Sequence, residues 1–406
     1  MAKPVLGIVS TWFERGATRV SLTYIAVLKE QFSIRVYARG GDEFPHDDPA
    51  WNHDFVHWGE FVPGARSTFI DFSDFKKWIH REQVDYLFFN EQQSWDVIVK
   101  VKQQFTIPIG AYIDYYTDDS VKCFDLYDFV VCNTKRHHSV FEHHKNAIYI
   151  PWGVQSFAQC PPVNHNELTF FHNLGFNPQR KGTDLVIQAF QELKAPHTRL
   201  ILHAQKPLSD FPQLEILIAG SEAIEWIDKE VPPPGLYHKG DVYVYPSRLE
   251  GIGLSLPEAL SEGLPVITTD EAPMNEFVFN GENGRLATVQ RQWKREDGYY
   301  WNMSEVDVVS LTSSMRYYVD QQDQLATFKS KTLDLAKTKL NWNENAKGLS
   351  KRILEITWNT PSNELLKYVQ EMEQKETPKV SAGQQLHRIL ISLGFRKIKR
   401  TLLGRS

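Results

Sequence analysis

Two glutamates flank a glycine-rich turn in the second half of the chain. Glu250 stands directly before Gly251-Ile252-Gly253, and Glu258 follows eight residues after Glu250. Because glycine has no Cβ, glycines on both sides of one apolar residue indicate that the backbone approaches another group closely. That group is either a neighbouring strand or a bound ligand, and a ligand held there would meet two carboxylates.

Two cations lie in a second turn, upstream of the glutamates. Arg180 and Lys181 belong to the stretch N-L-G-F-N-P-Q-R-K-G-T-D, which runs from a predicted strand through a turn into a predicted helix. A guanidinium and an ammonium group at the carboxyl end of a strand, in the same domain as a glycine-rich loop, predict a diphosphate site. The alternative is a pair of exposed basic residues in a turn.

The elements around the glycine turn indicate its place in the fold. The sequence predicts a strand at Asp241–Tyr245, a helix at Ser255–Glu262 and a further strand at Pro265–Thr269. The glycines therefore lie in a loop that leads from the carboxyl end of a strand into the N-terminus of a helix. Ligands bind at this end of open α/β sheets, and the free N–H groups of the helix favour anions such as phosphate.

A simpler explanation competes for each glutamate. Ser255 and Glu258 have the spacing of a capping box, in which Glu258 only satisfies a backbone N–H group. Glu250, taken alone, is typical of a solvated charge in a loop.

Strand and helix signals alternate along both halves of the chain, which predicts an α/β fold with parallel sheets. In the first half the predicted strands are Val5–Val9, Ile34–Tyr37, Tyr86–Phe89, Ile109–Ile113 and Phe129–Cys132. The rhythm breaks at Pro161-Pro162 and restarts with a strand at Leu168–Leu174 and a helix at Asp184–Leu193. The restart predicts a second domain, with a boundary near residue 160.

Length, charge and cysteine usage narrow the class of protein. A chain of 406 residues exceeds the roughly 300 at which a single core stops growing, so two domains are expected. A net charge of -5 argues against a protein whose whole surface binds nucleic acid. Cys123, Cys132 and Cys160 lack the number and spacing of a disulfide framework or a zinc site. Neither a signal peptide nor a membrane-spanning run is evident, which predicts a cytoplasmic chain.

The two turns carry a resemblance to a known family. The motif G-x-N-P-x-R-K-G-x-D, followed by P-S-x-x-E-G-x-G-L-x-x-x-E-A-L-x-x-G-x-P-V-I-x-T-D, is similar to the donor half of the retaining glycosyltransferases of family 4, over Asn166–Ala287. The resemblance implies the GT-B fold, in which two Rossmann-like domains face each other across a cleft. It also implies an acceptor-side domain at 1–160, a nucleotide-sugar domain at 161–345, and helices at 346–378 that cross back to the first domain.

The resemblance assigns the roles of the family's residues to the matching positions of this sequence. Glu250 is expected to meet the donor sugar and Glu258 the ribose, since a carboxylate accepts hydrogen bonds from vicinal hydroxyls. Arg180 and Lys181 are expected to neutralise the leaving diphosphate. The other donor-binding positions are Gly175, Gly251, Ile252, Gly253 and Leu254.

The resemblance implies a reaction without a metal ion or a cofactor, in which a nucleotide diphosphate sugar is the substrate. The sequence has no D-x-D motif for a divalent cation, no G-x-x-x-x-G-K-[ST] loop and no complete dinucleotide fingerprint. One position departs from the family pattern. Phe176 follows Gly175, where the family has a basic residue, so Arg180 would have to supply that charge.

The acceptor half matches the family only in layout. The resemblance places Gly16 in an acceptor loop, and Asp114 lies at the end of a strand where the family has a polar residue facing the cleft. A turn residue is the alternative for Asp114. Four histidines on a predicted helix lack the spacing of a zinc helix and are interpreted as surface residues, namely His137, His138, His143 and His144.

The last residues depart from the acidic balance of the chain. The segment 379–406 has seven lysines and arginines, no acidic residue, and two apolar stripes at helical spacing. Basic amphipathic segments bind anionic bilayers, so 384–406 is predicted to lie on the inner face of a membrane, beside a lipid-linked acceptor. The alternative is that the first stripe docks on the N-terminal domain and the rest is a solvated tail.

The sequence therefore predicts a metal-independent, retaining glycosyltransferase that moves a sugar to a hydroxyl acceptor in polysaccharide or glycolipid biosynthesis. Two alternatives stay open. The first is a GT-B relative that binds its ligand without turnover, for which Phe176 is the best argument. The second is a sugar-nucleotide epimerase or a phosphorylase on the same fold.

Overall fold

A computed structural model describes residues 2–41, 47–62, 65–158, 167–232 and 234–376. These residues form two compact units. The first unit comprises the described residues of 1–112, 119–130 and 350–376, and the second comprises those of 113–118 and 131–349.

A seven-stranded sheet contains the strands of the first part of the chain. Their bounds are β1 Val5–Ser10, β2 Ser33–Ala38, β3 Val56–Trp58, β4 Tyr86–Asn90, β5 Ile109–Tyr112, β6 Phe129–Cys132 and β7 Ala147–Tyr149. The strand order is β3-β2-β1-β4-β5-β6-β7, with β1 parallel to both β2 and β4. The strands β5 and β6 are buried throughout, as expected for parallel strands that are covered on both faces.

A six-stranded sheet and a separate two-stranded ladder follow. The sheet consists of β8 Leu168–Gly175, β9 Thr198–Ala204, β10 Ile224–Ile227, β11 Val242–Tyr245, β12 Val266–Thr269 and β13 Gly284–Ala287, in the order β10-β9-β8-β11-β12-β13. All of its ladders are parallel. The antiparallel pair is β14 Val289–Trp293 and β15 Met303–Val306.

The helices connect and cover these strands. Their bounds are α1 Gly16–Leu28, α2 Phe72–Glu82, α3 Trp95–Gln104, α4 Lys135–Phe141, α5 Pro178–Lys181, α6 Thr183–Leu193, α7 Pro212–Ile218, α8 Ser255–Ser261, α9 Val308–Asp320, α10 Leu325–Lys339, α11 Trp342–Asn345, α12 Leu349–Leu354 and α13 Asn363–Glu376. Side-chain caps define several starts: the Asp71 carboxylate accepts a hydrogen bond from Asp74 N, and the Asp307 carboxylate accepts one from Ser310 N.

In each unit a buried ion pair ties a helix to the sheet. In the first unit, Lys102 Nζ on α3 lies 2.7 Å from Asp128 Oδ1, and Asn359 N donates to the same carboxylate. In the second unit, Lys329 Nζ on α10 lies 2.7 Å from Asp241 Oδ1. Each aspartate directly precedes a strand, so the pair ties the helix to the sheet.

The strand order of the second sheet creates a switch point. From β8 the chain continues to β9 and β10, which lie on one side of β8 in the sheet. It then continues to β11, β12 and β13, which lie on the other side of β8. The α/β fold prediction, with two parallel-sheet domains, is confirmed. Ligands bind outside the carboxyl ends of the strands at such a point. The turn after β8 and the loop after β11 are the two turns that the sequence singled out.

The tail 384–406 lies outside the described residues, so its membrane-binding helix stays a prediction. Within the ranges that the structure covers, no helix combines the length and apolar content needed to cross a bilayer.

Candidate active site

The turn after β8 and the loop after β11 are held against each other by backbone contacts. Asn177 begins the short helix α5, and its side chain accepts a hydrogen bond from Arg180 N. Arg180 O in turn accepts one from Arg248 N, at 2.7 Å. Gly182 follows with φ of 70°, and a Cβ there would lie 2.3 Å from Pro246 O, so a side chain would separate the two segments.

Glu250 is the centre of the site. Its Oε1 accepts hydrogen bonds from Lys181 Nζ at 2.6 Å, from Tyr245 Oη at 2.8 Å and from Ser247 Oγ at 2.5 Å. Only 6% of the residue is exposed to solvent. Glu250 is therefore not a solvated loop charge, and the structure places it beside the predicted cation Lys181.

The charge state of Glu250 follows from its neighbours. Burial alone would raise the pKa of its carboxyl, but the charges of Lys181 and Arg180 outweigh this effect and lower the pKa to about 2. Burial lowers the pKa of Lys181, while the Glu250 carboxylate acts in the opposite direction. Glu250 is thus an anion at neutral pH, suited to accepting hydrogen bonds from hydroxyl groups and not to donating a proton.

Arg180 is a cation with unused hydrogen-bonding capacity. The negative charge of Glu250 raises the pKa of its guanidinium, and burial opposes this effect. Its Nε is buried, and no acceptor for it exists among the residues that the structure describes. A buried donor without an acceptor is costly, so the guanidinium is suited to binding an anion from outside the chain.

Glu258 does not form the predicted capping box. The helix α8 has its N-cap at Leu254, one residue before Ser255. Glu258 Oε2 instead accepts a hydrogen bond from Tyr237 Oη at 2.8 Å, and the residue is exposed to solvent. The capping-box alternative is wrong, and the buried Tyr237 orients the exposed carboxylate.

The glycine turn contacts a polar segment that precedes it by more than a hundred residues. Asp114 Oδ1 would lie 2.0 Å from a Cβ added to Gly251, so any side chain there would displace the Asp114 carboxylate. Asp114 O also accepts a hydrogen bond from Tyr299 Oη at 3.1 Å. The structure therefore brings Asp114 to the glycine turn within the second unit, whereas Gly16 begins α1 in the first unit.

The first turn of α4 holds two successive carbonyl groups of the glycine turn. Arg136 Nη2 donates to Glu250 O, and His137 Nε2 contacts Gly251 O at 3.1 Å. The Glu276 carboxylate accepts from the backbone N–H groups of Lys135 and Arg136, which fixes the start of this helix.

The surface interpretation of the histidines is wrong for His137 and His144, which are both buried. His137 Nδ1 lies 2.9 Å from Tyr116 Oη. Burial and the nearby charge of Arg136 lower the pKa of His137 to about 3, so its imidazole is neutral. His143 is exposed and His138 is half-buried.

Arg248 is a further polar anchor that sequence reasoning missed. Its guanidinium donates to both carboxylate oxygens of Asp184 and to Glu305 Oε2, at 2.7 to 3.0 Å. The bidentate pair joins the loop after β11 to the first turn of α6 and to β15. One indication of this contact is present in the sequence, because the partner Asp184 is the last residue of the motif G-x-N-P-x-R-K-G-x-D.

The remaining predicted positions lie around this cluster. Ile252 and Gly253 are buried and Leu254 is half-buried at the start of α8, while Gly175 ends β8. Phe176 is 67% exposed, so it has no packing role. Over the described part of the chain, no group of three or more His, Cys, Asp or Glu side chains is placed to hold a metal ion.

Part of the chain is similar in sequence to known proteins. Residues 166–294 match the family model described as Glycosyl transferases group 1, which covers both turns. The chain is 26% identical over 158 residues to an uncharacterized glycosyltransferase 335 of Sulfolobus islandicus rod-shaped virus 1, which covers 36% of this chain and 45% of that protein. It is 32% identical over 116 residues to the lipopolysaccharide core biosynthesis mannosyltransferase LpcC of Rhizobium leguminosarum bv. viciae, covering 26% of this chain and 33% of LpcC. The chain spans less than half the length of these curated relatives.

Solved structures agree over a larger part of the chain. Anabaena HepE in complex with UDP and glucose has a TM-score of 0.67 at 14% identity and covers 87% of this chain and 100% of its own. A glycosyltransferase from Rickettsia africae ESF-5 has a TM-score of 0.68 at 14% identity, with the same coverage. Pneumococcal O-GlcNAc transferase GtfA, in complex with UDP and GlcNAc, has a TM-score of 0.65 at 12% identity, again with this coverage. These similarities show that the protein has the GT-B fold.

Proposed function

We propose that the protein is a glycosyltransferase that moves a sugar from a nucleotide diphosphate sugar to a hydroxyl group, with retention of configuration and without a metal ion. One observation carries the proposal. At the switch point of a sheet whose residues match a glycosyltransferase family, a buried anionic carboxylate, Glu250, lies beside two cations, Lys181 and Arg180.

The sugar and the ribose of the donor bind to different glutamates. Glu250 accepts hydrogen bonds from hydroxyls of the transferred sugar, and Glu258, oriented by Tyr237, accepts those of the ribose. The diphosphate lies between them, near Arg180 and Lys181 and the amide N–H groups of the glycine turn. The structures of HepE and GtfA were solved with UDP, so uridine nucleotides are the first donors to test.

The reaction places its new negative charge on the diphosphate. The bond between the anomeric carbon and the diphosphate oxygen breaks, a bond from the acceptor oxygen forms, and the acceptor proton passes to the departing diphosphate or to solvent. Fixed cations that need no reorganisation stabilise this charge as it develops. Arg180, with its unsatisfied Nε, and Lys181 supply this stabilisation in place of a divalent cation.

The acceptor is a carbohydrate or a lipid-linked sugar of a polysaccharide or glycolipid. LpcC, a relative over the donor segment, belongs to lipopolysaccharide core biosynthesis. Asp114, beside Gly251, is proposed as an acceptor-side group, and Gly16 as a second acceptor-side position. The segment 384–406 holds the enzyme at the cytoplasmic face of an anionic membrane.

The second candidate is a binding protein that has kept the fold without turnover. The exposed Phe176, at the position after Gly175, favours it because the family has a basic residue there. Incubation with UDP-, GDP-, ADP- and CMP-sugars separates the candidates. We expect nucleotide release and a glycosylated acceptor whose anomeric configuration, determined by NMR, matches that of the donor. Stabilisation by a nucleotide without any turnover would favour the binding protein, and an epimerised or phosphorolysed product would favour the other GT-B enzymes.

A further inference from the structure

Three side chains form a continuous line of hydrogen bonds that ends on a backbone carbonyl of the glycine turn. Trp301 Nε1 lies 2.7 Å from Tyr116 Oη, Tyr116 Oη lies 2.9 Å from His137 Nδ1, and His137 Nε2 lies 3.1 Å from Gly251 O. Tyr116 and His137 are fully buried, and all four residues belong to the second unit. Trp301 lies beyond the segment that matches the family model.

The direction of each hydrogen bond follows from chemistry. A carbonyl oxygen can only accept, so the proton of the neutral imidazole is on Nε2 and points at Gly251 O. His137 Nδ1 must then accept the hydroxyl proton of Tyr116. An indole N–H can only donate, so the Tyr116 oxygen accepts from Trp301, and the line has one consistent polarity from Trp301 to Gly251.

The result at the turn is a fixed orientation of two peptide groups. Arg136 holds the carbonyl of Glu250, and His137 holds the carbonyl of Gly251. In a trans peptide the C=O of one residue and the N–H of the next point in opposite directions. The N–H groups of Gly251 and Ile252 are therefore aimed away from α4, as a pair.

We propose that Trp301, Tyr116 and His137 are positioning residues, which aim the N–H groups of Gly251 and Ile252 at the diphosphate of the donor. This inference rests on the proposed function of the turn and names the residues that preorganise it. We do not expect Trp301, Tyr116 or His137 to touch the donor. Their contribution is an arrangement of N–H groups that exists before the donor binds, and such arrangements favour the transition state.

Tyr116→Phe tests the inference because it removes one hydroxyl and keeps the ring. Tyr115→Phe is the matched control, since it removes a neighbouring hydroxyl that donates to Asp297 O at 3.2 Å. We expect Tyr116→Phe to speed the hydrogen–deuterium exchange of the peptide that contains residues 250–254, and to lower kcat about tenfold, as the loss of one buried hydrogen bond does. The KM for the donor should stay close to that of the wild type.

A second pair of variants separates positioning from packing. His137→Gln keeps an N–H donor near the position of Nε2, whereas His137→Asn places its amide at the position of Nδ1, out of reach of Gly251. We expect the glutamine variant to retain more activity and slower exchange at 250–254 than the asparagine variant. Trp301→Phe removes only the outermost donor and should have a smaller effect than Tyr116→Phe.

Equal exchange and equal kcat in Tyr116→Phe and Tyr115→Phe would overturn the positioning role. A wild-type protein without donor turnover would count against the proposed function alone. In that case the exchange at 250–254 in the Tyr116→Phe protein still decides whether the hydrogen-bond line holds the turn.

Discussion

Glu250 and Glu258 lie in different surroundings, and the difference predicts different kinetic effects. Glu258 is exposed and bonded to Tyr237, so Glu258→Gln should weaken the binding of UDP and of the UDP-sugar alike, by about tenfold in Kd. Glu250 lies by the cations, so Glu250→Gln should leave UDP binding intact and lower kcat by about 10²-fold. Titration calorimetry and steady-state kinetics check both. A Glu258→Gln protein with a lowered Tm and unchanged nucleotide affinity would assign Glu258 to the stability of α8.

The four charged side chains of the site could be predicted from sequence because they lie in two short motifs. The residues that form hydrogen bonds with this site from other segments could not be predicted. Tyr237 meets Glu258 from 21 residues away, and Arg136 meets the Glu250 carbonyl from 114 residues away. His137 was interpreted as a surface residue because spacing on one helix says nothing about a tyrosine and a carbonyl group that other segments bring to it.

At the scale of elements, two buried histidines predict how stability depends on pH. Burial lowers the pKa of His172 on β8 to about 4, and that of His137 to about 3. The unfolded chain, with histidine pKa values near 6.5, binds more protons between pH 6.5 and 4 than the folded chain does. Stability therefore falls as the pH falls through this window, by up to about 1.4 kcal/mol per pH unit for each histidine.

His172→Gln isolates one of these contributions. Urea unfolding of the second unit, followed between pH 7 and 4, should have a shallower dependence on pH in His172→Gln than in the wild type. The exposed His143→Gln is the control and should keep the wild-type slope. Identical slopes for all three proteins would mean that His172 binds its proton in the folded chain as it does in the unfolded chain.

Element boundaries were predictable where strands are buried on both faces. The strands β6 and β11 are continuous apolar runs in the sequence, because parallel strands that are covered on both faces leave no polar face. The strands β3 and β7 were missed, since each has three residues and is only partly buried.

For the whole molecule, the repeated alternation of strands and helices along the chain was enough to predict two parallel sheets. The division of the chain into domains at 1–160, 161–345 and 346–378 stays a prediction. The clustering of contacts joins residues 350–376 to the first 112 residues, and joins 131–158 to the second unit. Contacts of this kind, such as Asn359 with Asp128, have no signature in local sequence.

The basic tail gives a prediction that concerns the complete chain. A chain that ends at Thr377 should bind UDP as the full-length protein does but lose co-sedimentation with vesicles of phosphatidylglycerol, because the seven cations of 379–406 are removed and each contributes about 1 kcal/mol near an anionic surface. Neutral phosphatidylcholine vesicles are the control, on which both proteins should stay in the supernatant. Equal sedimentation of both chains with the anionic vesicles would rule out the anchor.

Metal-free sugar transfer that depends on two fixed cations is tested most directly by the transfer rate in excess EDTA, measured for the wild type, Arg180→Ala and Lys181→Ala. Lys347→Ala, at an exposed lysine outside the site, is the control. A metal-free mechanism predicts that EDTA leaves the wild-type rate unchanged. It also predicts that each site variant loses about 10²-fold in kcat, since each removes a fixed cation from the leaving diphosphate, and that the control keeps the wild-type rate. A rate abolished by EDTA and restored by manganese, with both site variants as active as Lys347→Ala, would contradict it.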